Sequence, residues 1–234
     1  MHYPVVFQND HNLAQAFVAS VKNPAFPCVG AKSALAKGQL DIVVARDITS
    51  AWDDMRILPT LAHTVARYRE DRALFRSLVV LFEGPHDLSE EAFERHLWAR
   101  AQSLSDKDAW LGYPTDPTTS TDPDDPHFSL SFGGEAFFVV GLHPGASRPA
   151  RRFQVPAMVF NLHDQFEVLR EQQRYEKLRH SIIERDVALA GSPNPMLARH
   201  GTVSEARQYS GRAVGDDWRC PFHRAAAEPK DIAA

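Results

Sequence analysis

Short apolar runs alternate with amphipathic stretches along this chain, and that pattern predicts a sheet packed with helices. Residues 13–21 carry the spacing of a short helix. QLDIVVARDI (39–48) and RSLVVLFEG (76–84) are apolar runs of the kind that fill buried strands. Before the first of them lies NPAFPCVGAKSAL, whose two prolines and one glycine predict a loop. Between the strands, Leu58, Leu61, Val65 and Tyr68 recur on one helical face. Pro59 must sit near the first turn of that helix or kink it. After the second strand, Asp87 followed by Glu90 resembles a capping box with Asp as cap, and Phe93, Leu97 and Leu104 form the next inner face.

In the second half, Gly133-Gly134 separates two apolar runs and marks a hairpin. AMVFNLH is a further strand. Asp164 is placed to cap one long helix with a core stripe of Val168, Tyr175, Leu178 and Ile182, which GSPNPML ends. A hairpin that short requires antiparallel pairing. The expected fold is therefore α+β: a mostly antiparallel sheet with helices packed on one side, in a single domain over 1–234. The strongest break, GYPTDPTTSTDPDDPH (112–127), reads as a surface loop, or as a lid if it moves. The end of the chain, 224–234, reads as a flexible tail.

Composition adds exclusions. Hydrophobic residues at 44% and charged residues at 24% place the chain among folded globular proteins. A net charge of −4 argues against nucleic acid as partner. No signal peptide and no membrane-length apolar stretch is visible, and the two cysteines, Cys28 and Cys220, lie too far apart for a CxxC motif. The expectation is a cytoplasmic protein with reduced thiols and no membrane partner. Phosphate-loop, HExxH, EF-hand, GxSxG and GxGxxG patterns are all absent.

Four segments could carry chemistry. In GLHPGASRPARRF, His143 ends a strand and Arg148, Arg151 and Arg152 follow. An imidazole at a strand end suits an axial ligand, and guanidiniums clamp carboxylates, the two things a haem requires. The bland alternative is a histidine bracing a turn beside a solvated basic surface. In NLHDQFEVLR, His163 stands at a helix N-terminus, which favours its neutral, ligating form, or else it braces the helix. ARQYSGRAVGDDWRCPFH is dense in Arg207, Tyr209, Arg212, Trp218 and Cys220. Cys220 is a candidate thiolate beside Arg219 or a buried inert thiol. In FPCVGAKSA, Cys28 reads as buried rather than reactive, and Lys32 as the partner of an acidic group.

FPCVGAKSA, FFVVGLHPGASRPARRF, VFNLHDQFEVLREQQRYEKLRHSIIERD and GSPNPMLARHGTVSEARQYSGRAVGDDWRCPF, in that order, resemble the YqcI/YcgG family from about Phe26 to Phe222. Proteins similar to this chain include a haem-dependent N-hydroxylase of guanitoxin biosynthesis and, more distantly, a haem protein that hydroxylates arginine in D-cycloserine biosynthesis. The resemblance implies haem b, iron, O2, an external electron donor and a guanidine- or amine-containing small-molecule substrate. On that footing His143 is the first candidate for the iron, with His163 and Cys220 as alternatives. Arg148, Arg151, Arg152, Arg207 and Arg212 are the candidates for the propionates. Glu205, ahead of Glu135 and Glu167, is the candidate partner of a substrate cation, with Tyr209 beside it in the same motif. A second subunit covering part of the haem edge, as in a homodimer, is compatible with this reading. A non-catalytic haem protein and a haem-free enzyme are the competing readings.

Overall fold

The computed structural model describes residues 5, 7–198 and 201–224; the expected tail beyond Arg224 lies outside the described residues. The elements run α1 (Asn12–Lys22), α2 (Val29–Ala36), β1 (Leu40–Asp47), α3 (Asp54–Asp71), β2 (Ser77–Gly84), α4 (Glu90–Trp110), β3 (Leu130–Phe132) and β4 (Glu135–Leu142). A short 3-10 turn at Pro149–Arg151 follows, then β5 (Ala157–Leu162), α5 (Asp164–Glu171), α6 (Tyr175–Ala190) and α7 (Ala206–Tyr209). The fold is α+β. Its five strands lie in the order β1-β2-β5-β4-β3.

The sheet is mixed. β1 and β2 run parallel, with Leu40 opposite Ser77, and the remaining neighbours are antiparallel. A parallel pair needs a crossover, which α3 supplies. Helices cover both faces, where the sequence had suggested one. Strand alternation divides the apolar side chains. Val43, Val80, Phe137, Val139 and Phe160 meet α3 and α4 on one face, while Ile42, Val79, Leu81 and Leu142 meet α1 and α2 on the other. Both sides of the central strands are thus dry, which explains their uninterrupted apolar runs.

Several local expectations change for identifiable reasons. α2 forms inside the expected loop because Pro24 and Pro27 both precede it; Cys28 is its N-cap, the thiol accepting from the Ala31 amide at 3.4 Å. Ser89, not Asp87, caps α4, its hydroxyl accepting from the Ala92 amide at 3.2 Å. Pro59 lies past the first turn of α3; the carbonyl four residues back belongs to exposed Met55, where water can replace the lost amide. The expected long helix is two, broken where Gln173 adopts a left-handed φ of 56°. Asp164 opens α5 without capping it. Its carboxylate instead accepts from the Tyr68 hydroxyl at 2.5 Å and from Arg72 at 2.9 Å, tying α5 to α3.

The hairpin stands as expected, Gly133 and Gly134 taking φ of 61° and 84° in the turn that demands positive φ. The 112–127 loop is pinned beneath it. The Asp116 amide donates to the Ser131 hydroxyl at 3.0 Å, and its carboxylate accepts from the Ala136 amide at 2.9 Å.

Gly141 marks the closest approach between sheet and helix. A Cβ there would stand 2.6 Å from Leu97 Cδ1, 2.8 Å from Phe93 Cε1 and 2.9 Å from the Tyr209 carbonyl oxygen. Gly141→Ala is therefore expected to destabilise the protein by about 1–3 kcal/mol through overpacking. A denaturant melt checks this; an unchanged midpoint would mean that α4 shifts freely.

Candidate functional site

A half-open cavity of about 220 Å3 lies on the α1/α2 face of the sheet. Its floor is Ser77, Phe138, Val140 and Asn161, side chains that alternation turns away from α3 and α4. α2 contributes Gly30 and Ala31, with Cys28 just ahead of it. α5 contributes Gln165, Leu169 and Arg170, and α6 contributes Tyr175, Leu178, Arg179 and Ile182. The stripe expected to enter the core of one long helix thus faces this space instead, Tyr175, Leu178 and Ile182 remaining only part-buried. Phe75, also on the wall, holds a φ of 73°, unusual for an aromatic residue.

Glu205 reaches the cavity from the segment before α7. Two contacts position that segment. Tyr209, fully buried, donates its hydroxyl to the Phe137 carbonyl at 3.2 Å and stacks on Trp98 at 5.6 Å. Arg151 donates to the carbonyls of Gly141 at 3.2 Å and Gln208 at 3.1 Å, stapling the end of α7 to the edge of β4 that the short β3 leaves unpaired. The Glu205 carboxylate lies 3.5 Å from His163 Nε2, at the start of α5. Among the three candidate carboxylates only Glu205 lines the cavity; Glu135 pairs with Arg69 at 2.7 Å, and Glu167 pairs with Arg170 along α5.

The other expected site residues are dispersed. His143 continues the register of Phe137, Val139 and Gly141, so it points to the α4 face, where its ring stacks on Phe93 at 4.3 Å and is 1% exposed. Burial lowers its pKa and keeps it neutral. Cys220 also belongs to that face, in the cluster with Trp98 and Phe222, and burial pushes its thiol up to about 12. Tyr209 is core, its hydroxyl held well above the usual range by burial.

The five arginines are engaged within the chain. Arg148 pairs with Asp186 of α6, and Arg212 with Glu94 of α4 at 2.9 Å. Arg152 donates to the carbonyls of Ala146 at 2.7 Å and Ser147 at 3.0 Å. Arg207 donates to the Gly215 carbonyl at 2.5 Å and lies over Trp218. Arg151 is the staple already described, its pKa lowered to about 10 by burial. Lys32 donates to the Asn23 carbonyl rather than to an acidic group.

These placements test the fit of a haem. The sheet separates His143 and Cys220 from the cavity, and the expected propionate clamps are occupied. The cavity itself offers apolar walls and the sulfur of Cys28, but its volume is that of a small ligand and Arg170 is already paired with Glu167, so it does not seat a haem beside a substrate. Burial raises the Cys28 pKa, and its thiol is engaged as the N-cap of α2. Among the described residues no group of three or more His, Cys, Asp and Glu side chains could hold a bare metal ion. No helix among them is long and apolar enough to cross a membrane.

Fold and site together define the class: an α+β fold carrying a half-open cavity between a mixed sheet and a helix pair. The chain belongs to the YqcI/YcgG family, whose sequence model matches residues 17–223. It is 32% identical over 133 residues to the uncharacterized protein YcgG of Bacillus subtilis (strain 168), a match spanning 55% of this chain and 51% of that protein. The chain thus covers about half the length of this curated relative. No solved structure matches it significantly.

Proposed function

We propose that the chain N-hydroxylates a small amine or guanidine held in this cavity, using haem, molecular oxygen and an external electron donor as the family resemblance implies. One observation carries the reading: the Glu205 carboxylate stands on the wall of a largely apolar cavity. That carboxylate, beside His163 at 3.5 Å, can also accept charge-assisted hydrogen bonds from a cationic nitrogen of the ligand. The volume, below the roughly 300–1,000 Å3 of drug-sized pockets, suits a molecule of amino-acid size.

In this reading the cavity holds the substrate alone, and haem, when bound, supplies oxygen activation. The chain's own part is positioning. Glu205 fixes the nitrogen, the sheet floor excludes water, and His163 beside Glu205 takes the proton that the nitrogen gives up.

An absorption spectrum of protein expressed with a haem precursor, oxidised, reduced and with carbon monoxide, is the test. A Soret band with a carbon monoxide shift is expected, together with oxygen uptake driven by an amine or guanidine. No Soret band after hemin addition would remove the cofactor and the reaction with it. Haem without substrate-driven oxygen uptake would leave a non-catalytic haem protein.

A further inference from the structure

Gln165 is 3% exposed and lines the same cavity as Glu205. Its Nε2 donates to the Arg76 carbonyl at 2.8 Å. A carbonyl can only accept, so that bond fixes the amide's orientation and identifies Oε1 as the other end. Oε1 is buried and has no hydrogen-bond partner among the described residues. Buried acceptors are satisfied in the great majority of native structures, and one left bare costs free energy that a ligand donor recovers. The residue opens α5 on the side facing the sheet, two positions from His163, which adjoins Glu205.

We infer that Gln165 is a specificity-determining residue: its amide oxygen accepts an N–H of the bound ligand, while Glu205 answers the ligand's charge. This inference rests on the proposed function. The two groups ask different questions of a ligand. A carboxylate attracts any cation, whereas an amide carbonyl rewards only one that carries N–H donors. The pair therefore selects guanidinium and unsubstituted ammonium groups over quaternary ammonium groups of equal charge.

The test uses the full chain, with whatever cofactor it carries as purified, and two probes of equal charge and chain length: butylguanidinium and butyltrimethylammonium. Titration calorimetry of the native protein should favour butylguanidinium. In Gln165→Met that preference should narrow by about tenfold, the worth of one hydrogen bond to a charged group, with butyltrimethylammonium binding unchanged. Should Gln165→Met fail to fold, butylguanidinium methylated stepwise at its nitrogens is titrated against the native protein; an affinity that does not fall as N–H donors are removed overturns the assignment. An unchanged preference in Gln165→Met overturns the role of Gln165 alone, provided that Glu205→Gln still weakens both probes. If the native protein binds neither probe, this inference and the proposed function fall together.

Discussion

Glu205→Gln is expected to weaken butylguanidinium binding by about a hundredfold, within the range for truncating one partner of a buried charge pair. The amide keeps the side chain's shape and an acceptor, so the loss is of charge rather than of packing. Glu205 is 7% exposed, and an attraction in that setting is weakly screened by solvent. Oxygen uptake on the same substrate should fall with the affinity, because an unheld nitrogen is seldom at the reacting position. Glu135→Gln serves as the control. That carboxylate pairs with Arg69 outside the cavity, and its removal should leave affinity unchanged. Titration calorimetry and a thermal melt of both variants decide the matter. Full affinity in a folded Glu205→Gln would take the cavity out of the proposed function.

The strands were readable because their signal is local. Val79, Val80 and Leu81 stay dry on both sides of the sheet, so their run carries no polar interruption. The break between α5 and α6 was not readable. Gln173 turns the chain with a left-handed φ that neither Gly nor Asn announces. α2 was hidden by prolines that lie ahead of its cap.

Site residues followed the same division. Glu205 was singled out from its motif, and it does reach the cavity. His143 sat in an equally suggestive motif, but the parity of β4 decides its face, and parity relative to the cavity is a tertiary fact. The arginines looked like free clamps because their partners are remote: Glu94 for Arg212, Asp186 for Arg148. Gln165, Arg170 and Arg179 gave no signal, being ordinary polar residues of helices whose inner face reads as core. What identifies Gln165 is an unmet hydrogen bond, which only the assembled structure contains.

Asp186→Ala is expected to produce the largest loss of stability, about 3–5 kcal/mol, because it leaves a buried cation without its partner. Asp186 is 4% exposed and is the buried residue of α6, whose other side chains are at least partly open. Arg148 meets it with both Nε and Nη2, and also donates to the Ser192 carbonyl at 2.8 Å just past the end of α6. The pair thus anchors the helix that supplies Tyr175, Leu178, Arg179 and Ile182 to the cavity. Unfolding in urea should show the stability loss, and butylguanidinium affinity should fall with it as that wall loosens. Replacing both partners by leucine should recover much of the stability, since a matched apolar pair leaves no stranded charge. Recovery of stability without recovery of binding would mean that α6 needs the ion pair's direction, and not merely its contact, to hold the wall in place. A loss below about 1 kcal/mol in the single variant would instead assign the anchoring of α6 to its apolar contacts and to Arg185, which donates to the Phe26 carbonyl at 3.1 Å.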